Sequence, residues 1–132
     1  MMWGVATWQE FVDDDPEFAP KIEALFTAHK HHTMATIRRD GSPRISGTEV
    51  QVEGGQFCFG MMAGARRGHD LRRDPRLAIH SQSVDPPEDD QDAWAGEAKV
   101  SGRATEVNPG GDEPGGQFRV DLTEVVLTHL AI

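Results

Sequence analysis

The stretch from Thr33 to Met61, TMATIRRDGSPRISGTEVQVEGGQFCFGM, has the pattern of three β-strands separated by turns. Asp40-Gly41 and Glu53-Gly54-Gly55 are typical of tight turns, the glycines because they tolerate positive φ. β-Branched residues and a two-residue period between these turns predict strands. The three predicted strands are Thr33–Ile37, Arg44–Val52 and Gln56–Met61. We expect them to form an antiparallel meander.

Helices are predicted before this stretch and after it. Thr7-Trp8-Gln9-Glu10 fits a capping box, and Asp15-Pro16-Glu17 places a capping side chain before a proline. An apolar stripe with helical spacing follows, and that helix should end near Lys30. The stripe consists of Phe18, Ile22, Leu25 and Phe26. A short helix is expected over His69–Arg73, before Asp74-Pro75.

Three more strands and two loops complete the expected fold. The strands are Arg76–His80, Glu97–Val107 and Val125–Leu127, and the Gly-, Pro- and Asp-rich loops are Ser83–Asp92 and Asn108–Gly116. Six short strands with helices at one end predict a mainly β fold with short helices, a six-stranded antiparallel barrel that is closed or nearly closed. With 132 residues the chain is expected to be one domain, residues 1–30 forming N-terminal helices and residues 31–132 the barrel.

Charge and composition argue against several partners. The formal net charge of −9 argues against nucleic acid and anionic membranes as partners. The single Cys58 allows no intrachain disulfide, and residues Met1–Trp8 lack a signal-peptide pattern. No run of 18 apolar residues occurs. We therefore expect a cytoplasmic protein that does not cross a membrane.

The densest positive segment is the candidate for an anion site. It contains Arg66, Arg67, Arg72, Arg73 and Arg76, and Ala63-Gly64-Ala65 precedes its first arginines. Forked guanidinium groups and a glycine-rich bend before a helix can hold a phosphate. Spacing alone favours a phosphate site no more than a solvated surface helix whose arginines pair with Asp70 and Asp74. No nucleotide-binding, hydrolase-elbow or zinc-protease motif is present.

Four segments, in this order, resemble the pyridoxamine 5′-phosphate oxidase-like proteins, a superfamily of flavin and deazaflavin oxidoreductases. The similarity is greatest to the small actinobacterial branch and covers roughly Lys30 to Leu130. The four segments are Ala35-Thr36-Ile37-Arg38-Arg39-Asp40-Gly41-Ser42-Pro43-Arg44, Gly64-Ala65-Arg66-Arg67, Asp70-Leu71-Arg72-Arg73-Asp74-Pro75-Arg76-Leu77-Ala78 and Gly102-Arg103-Ala104-Thr105-Glu106-Val107.

The resemblance implies an FMN-binding split β-barrel that works as a homodimer, with a cofactor in each groove between subunits. The cofactor would be FMN or, alternatively, the deazaflavin coenzyme F-420, and a hydride would pass to or from a small organic substrate. On the family pattern, the cofactor-binding residues would be Arg44, Ser46, Gly47, Thr48, Gly60, Met61, Met62, Arg66, Arg67 and Glu97. Arg66 and Arg67 would hold the phosphate. Catalytic residues are not assigned.

The chain departs from the family pattern at three places. Ala65 replaces a common Ser, Glu49 lies near a usual basic position, and the family's basic C-terminal tail does not follow Leu127. A non-enzymatic module of the same fold that holds a flavin or haem is one alternative, and these departures motivate another, a degenerate member that dimerises and binds nothing. Arg72, Arg73 and Arg76 would be available to the polyglutamate tail of F-420.

The histidines and tryptophans have mainly structural interpretations. His29, His31 and His32 lie where the long helix should end, and they lack zinc-ligand spacing, so we expect a solvated helix end and no metal site. Trp3, Trp8 and Trp94 are expected to pack in the core or at an interface.

Overall fold

The computed structural model describes residues 4–107 and 115–130, and these form one antiparallel sheet with three short α-helices and one turn of 3-10 helix, Gln91–Ala93. The helices are α1 (Trp8–Asp14), α2 (Ala19–Thr27) and α3 (Arg66–Arg73). The strands are β1 (His32–Ile37), β2 (Pro43–Thr48), β3 (Gln51–Glu53), β4 (Gln56–Gly60), β5 (Arg76–His80), β6 (Glu97–Val107) and β7 (Gln117–Thr128). The prediction of a mainly β fold with short helices is confirmed.

The sheet curls until its two edges approach each other. Its strand order is β2-β1-β5-β6-β7-β4-β3, so β2 and β3 are the edge strands. Only Glu49 and Val50 separate these two strands in the chain. Because such a link spans about 10 Å at most, the edges must meet there. We call the gap between the β1–β2 side and the β3–β4 side the seam.

The expected number of strands was wrong, since the sheet has seven and not six. The predicted strand Arg44–Val52 is interrupted at Glu49-Val50. Its first part pairs with β1, where Arg44 lies opposite Thr36. Its last part pairs with β4. The two parts therefore lie at opposite edges of the curled sheet. Arg44 pairs with β1 and does not lie beside β4. The expected three-stranded meander was also wrong.

Strand β7 is much longer than the predicted Val125–Leu127, and it pairs with the whole of β6. Its alternating residues Phe118, Val120 and Leu122 are buried. The ladder shifts register between Ser101 and Gly102. A Cβ atom on Gly102 would lie 2.2 Å from the carbonyl oxygen of Asp121. This bulge therefore needs glycine, and such bulges bend a sheet.

The N-terminal helices cover one end of the barrel core. The Thr7 capping box is confirmed, with the Thr7 hydroxyl accepting from the Glu10 N–H at 3.1 Å and the reciprocal bond present. Helix α2 ends at Thr27, before the expected Lys30. The predicted apolar stripe is confirmed, because Ile22 and Phe26 are fully buried. Phe26 packs edge-on against Phe57, with ring centroids 5.1 Å apart.

One histidine prediction was wrong. His29 and His31 are exposed, but His32 begins β1 and is buried. The Gln82 N–H donates to its Nδ1 at 3.0 Å, so the proton must be on Nε2, which donates to the Phe26 carbonyl at 2.9 Å. Burial lowers the pKa of His32, because it disfavours the charged ring.

The predicted loop Ser83–Asp92 contains no strand and is almost entirely exposed. The Trp94 indole N–H donates to the Val84 carbonyl at 2.6 Å and so attaches the loop to the chain that follows it. Residues 108–114 of the second predicted loop, and Trp3, lie outside the described residues. No helix among the described residues has the length and apolar character needed to cross a membrane.

Candidate functional site

A groove of about 1310 Å³ lies along the seam and brings together most of the predicted cofactor residues. Its walls come from the end of β2, from β3, from the end of β4 and from the bend that leads into α3. Six predicted residues line it: Gly47, Thr48, Gly60, Met61, Met62 and Arg67. They are distant in the sequence, and the curled sheet is what brings them together.

The other four predicted residues do not line the groove. Arg66 is exposed on the first turn of α3. Glu97 begins β6, and its Oε1 lies 3.5 Å from His80 Nε2. Ser46 has a buried hydroxyl that has no hydrogen-bond partner in the described structure. Their roles toward a cofactor remain predictions.

The fourth, Arg44, holds α3 against the sheet. Its Nε donates to Asp70 Oδ2 at 2.7 Å, and the Thr36 hydroxyl donates to the same oxygen at 2.8 Å. Arg73 Nη2 lies 3.6 Å from Asp70 Oδ1. Burial alone would raise the pKa of Asp70, but the hydrogen bonds from Arg44 and Thr36 and the nearby charges hold it below its usual value. Asp70 is therefore an ionised anchor for the helix that carries Arg67.

Arg67 joins the two sides of the seam. Its Nη1 donates to the Gly47 carbonyl on β2 at 3.0 Å, and its Nη2 donates to the Gly60 carbonyl on β4 at 3.3 Å. Its Nε is buried and has no acceptor, and no carboxylate pairs with Arg67 in the described part of the chain. Burial lowers the pKa of this guanidinium. A half-buried cation without a counterion favours the binding of an anion.

The start of α3 adds backbone donors beside Arg67. No side chain caps this helix, and within residues 4–107 and 115–130 the N–H groups of Arg66 and Arg67 have no acceptor. Gly64, with φ of +76°, makes the bend that precedes the helix. Free N–H groups and the positive end of the helix dipole are a common way to bind phosphate.

Three other arginines of the segment, Arg72, Arg73 and Arg76, lie beside carboxylates, whereas Arg66 forms no ion pair in the described residues. Arg72 binds Glu106 with two hydrogen bonds of 3.2 and 2.9 Å and lies over the Phe118 ring. Arg76 binds Asp74 with two hydrogen bonds of 3.0 and 2.7 Å. The Arg76 hydrogen bond lowers the pKa of Asp74 to about 2. Of the alternatives left open by spacing, pairing with Asp70 or Asp74 thus holds for Arg73 and Arg76. Arg72 pairs with Glu106 instead, and no carboxylate pairs with Arg67 in the described residues.

Sequence reasoning missed four residues that line the groove: His31, Gln51, Glu53 and Gln117. Gln117 packs on Gly60 so closely that a Cβ atom there would lie 2.7 Å from its Nε2. The alternation Glu49-Val50-Gln51-Val52-Glu53 was a usable signal for Gln51 and Glu53, since alternate residues of a strand face the same side. His31 and Gln117 lie at element ends, where the sequence carries no such period.

The residues of the groove are suited to binding an anion and to hydrogen bonding. They are less suited to acid–base catalysis by the protein itself. The Thr48 hydroxyl donates to the neighbouring Glu49 carbonyl at 3.2 Å rather than to a base. The described residues contain no group of three or more His, Cys, Asp or Glu placed to hold a metal. A bound cofactor with an anionic group fits these features, because in the described residues Arg67 has no carboxylate partner and the N–H groups at the start of α3 have no acceptor.

Comparisons with known proteins agree with this architecture. The model of the pyridoxamine 5′-phosphate oxidase family matches residues 18–120. Among solved structures, HutZ, described as the haem storage protein from Vibrio cholerae, has a TM-score of 0.64 at 14% identity, over 82% of this chain and 92% of its own. An F-420 reductase has a TM-score of 0.59 at 14% identity, over 79% of this chain and 94% of its own.

A conserved hypothetical protein of Mycobacterium tuberculosis, Rv2991, has a TM-score of 0.61 at 17% identity, over 88% of this chain and 91% of its own. At these identities the structural likeness shows the fold alone. No curated protein matches the chain by sequence.

Proposed function

The chain belongs to the pyridoxamine 5′-phosphate oxidase family, and from that premise we propose that it is a flavin-dependent oxidoreductase. It binds FMN in the seam groove and transfers a hydride to or from a small organic substrate. The observation that carries this proposal is Arg67, a half-buried guanidinium that lines the groove without a carboxylate partner in the described residues. The F-420 reductase among the structural neighbours is consistent with it.

Different residues of the groove bind different parts of FMN in this proposal. Arg67 and the N–H groups of Arg66 and Arg67 hold the phosphate, with charge-assisted hydrogen bonds that contribute about 1.5–3 kcal/mol each. Gly47, Gly60 and Met61 also line the groove, and in this proposal they would contact the ribityl chain and the ring, where backbone groups can approach closely. FMN, when bound, supplies the redox chemistry. The protein binds it, orients it and excludes water.

The charges in the described part of the chain favour FMN over coenzyme F-420. F-420 carries a polyglutamate tail and would need basic surface beyond the phosphate. Arg72 and Arg76 are paired with Glu106 and Asp74, and Arg73 lies beside Asp70. Glu49 and Glu53 line the groove and would repel an anionic tail. The only strongly anionic group of FMN is its phosphate. FMN therefore fits a groove with one unpaired arginine and two carboxylates better than F-420 does.

We place a second copy of the chain over the groove. Ile45 on the edge strand β2 is 75% exposed and Met62 at the groove is 82% exposed, which is unusual for apolar side chains. A homodimer that covers both would also close the groove around the cofactor. Sedimentation should therefore show a dimer, and Met62→Glu should weaken it. A monomer at micromolar concentration would contradict this arrangement.

A second candidate is a non-enzymatic module that holds a flavin or haem. His31 on the groove wall is the observation that favours haem, because histidine is a common axial ligand of haem iron. HutZ, a haem storage protein, has a similar fold. Steady-state reduction assays separate this candidate from the first, since a storage module binds its cofactor without turnover.

The proposal is tested by titrating FMN, F-420 and haem into the protein and following fluorescence quenching or absorbance. Arg67→Ala should weaken FMN binding by about 1.5–3 kcal/mol, and Arg67→Lys by less. Arg39→Ala is the matched control, because Arg39 is exposed and no ion pair involves it in the described residues. Arg67→Ala also loses the hydrogen bonds to the Gly47 and Gly60 carbonyls. Urea unfolding of this variant measures the resulting loss of stability, so that weaker FMN binding is not confused with unfolding. If FMN does not bind, the proposal fails.

A further inference from the structure

Gln117, the first residue of β7, lies over the backbone of Gly60 on β4. The two residues are directly opposite each other in the β4–β7 ladder. A Cβ atom on Gly60 would lie 2.7 Å from Gln117 Nε2 and 3.3 Å from its Cδ. The amide group of Gln117 therefore fills the space that the glycine leaves. Both residues line the groove, so this amide is held over β4 at the groove wall.

Gly60 also receives the guanidinium of Arg67. Arg67 Nη2 donates to the Gly60 carbonyl at 3.3 Å, and the carbonyl oxygen of a residue lies about 2.4 Å from its Cα. The amide and the guanidinium therefore meet at one glycine. The start of β7 is fixed there as well, because the Met61 N–H donates to the Gly116 carbonyl at 3.2 Å.

The side-chain amide of Gln117 is available to a ligand. It is half-buried, and within residues 4–107 and 115–130 it forms no hydrogen bond. An amide can donate two hydrogen bonds and carries no charge. A glutamate at this position would pair with Arg67 and compete with an anion. Glutamine leaves the charge of Arg67 available and adds a neutral donor beside it.

We infer that Gln117 is a second side-chain donor of the anion site and binds the same phosphate as Arg67. This inference rests on the proposed function, and it names a residue that sets the preference for a phosphorylated ligand. The competing explanation is that Gln117 only packs on Gly60 where the strand begins. In that case substitutions of Gln117 would change stability but not the ratio of FMN affinity to riboflavin affinity.

Calorimetric titration of FMN and riboflavin separates the two explanations. Gln117→Ala should lower the ratio of FMN affinity to riboflavin affinity by about fivefold, the effect of one hydrogen bond. Gln117→Glu has nearly the same shape, and it should bring the two affinities close to equality, because its carboxylate repels the phosphate and pairs with Arg67.

Gln51 supplies the matched controls, since it lines the groove from β3. It lies opposite Cys58, two residues from Gly60 along β4. Gln51→Ala should change the affinity ratio by less than about twofold and Gln51→Glu by less than about threefold, because salt screens a charge at this distance from the phosphate. Gln51→Glu thus separates a carboxylate beside Arg67 from any carboxylate added to the groove.

Urea unfolding without ligand tests the position of the amide. Gln117→Glu should raise the urea midpoint, because its carboxylate supplies the counterion that Arg67 lacks in the described residues. The gain should disappear when Arg67→Ala is also present, and Gln51→Glu should show none.

Unchanged affinity ratios in both Gln117 variants would overturn this role of Gln117, and the proposed function would stand as long as the wild type binds FMN. An equal effect of Gln51→Glu, or a Gln117→Glu variant with no gain in stability that depends on Arg67, would overturn it too. If FMN does not bind, the proposed function fails, and inorganic phosphate decides the role of Gln117. Stabilisation by phosphate that Gln117→Ala reduces would support this role, and equal stabilisation of both proteins would overturn it.

Discussion

Replacing Asp70 should release α3 from the sheet, because this buried carboxylate is the acceptor that joins three elements. Asp70 is 3% exposed, and it accepts from Arg44 at 2.7 Å and from Thr36 at 2.8 Å. Asp70→Ala leaves the Arg44 guanidinium without its counterion and the Thr36 hydroxyl without its acceptor. Breaking a buried ion pair on one side costs about 3–5 kcal/mol.

The Arg44 side chain is 19% exposed, so water recovers part of that cost. We therefore expect Asp70→Ala to lower the free energy of unfolding by about 2–4 kcal/mol and Asp70→Asn, which keeps an oxygen for Thr36, by about 1–2 kcal/mol. Urea unfolding with equal m-values measures both. Asp74→Asn is the control, since its partner Arg76 is largely exposed and such pairs contribute under about 1 kcal/mol.

The pH dependence of the free energy of unfolding is a second test of the role of Asp70. The pKa of Asp70 is lower in the folded protein than in the unfolded chain. Its contribution is therefore complete above the unfolded pKa, near pH 4, and is lost as the pH falls through the folded value. The wild type and Asp70→Asn should converge in stability below about pH 4. A cost below about 1 kcal/mol for Asp70→Ala at neutral pH, or no coupling to Arg44 in a double-mutant cycle, would refute the reasoning.

Two further predictions concern the barrel itself. Gly102→Ala should lower the free energy of unfolding by about 1–3 kcal/mol, because the new Cβ would lie 2.2 Å from the Asp121 carbonyl oxygen. Gly47→Ala is the control, since its Cβ would have no contact closer than 4.0 Å. In the same urea experiment it should lower the free energy of unfolding by less. The pKa of His32 is lowered by burial, so the stability that its neutral ring provides is complete above about pH 6.5 and is lost as the pH falls below it. His32→Asn should flatten the decline of the urea midpoint between about pH 6.5 and 5, and exposed His31→Asn should not; equal declines would count against a neutral buried ring.

The sequence was sufficient for most elements because their signals are local. The capping box at Thr7, the stripe Ile22–Phe26 and the glycine turns have fixed spacings that act within a few residues. The break at Glu49-Val50 has no such signal, since it depends on where the sheet closes. The inward alternation Phe118-Val120-Leu122 was present in the sequence, and strand β7 was still underestimated.

The site was harder to predict because its residues meet only through the fold. The resemblance assigns both Arg66 and Arg67 to the phosphate, and nothing local in the sequence distinguishes one from the other. The fold alone separates them, since Arg67 points at the seam and Arg66 is exposed. Arg44 was assigned to the cofactor, yet its carboxylate partner Asp70 lies 26 residues away. Contacts at such separations depend on topology and not on sequence period.

Calorimetric titration of FMN and riboflavin tests the central claim most directly, since the two ligands share a ring and differ by the phosphate. We predict that FMN binds more tightly than riboflavin by about tenfold or more, and that Arg67→Ala reduces this difference by about tenfold or more, leaving the part that the backbone N–H groups provide. Riboflavin that binds as tightly as FMN, or a difference that is unchanged in Arg67→Ala, would contradict an anion site at Arg67.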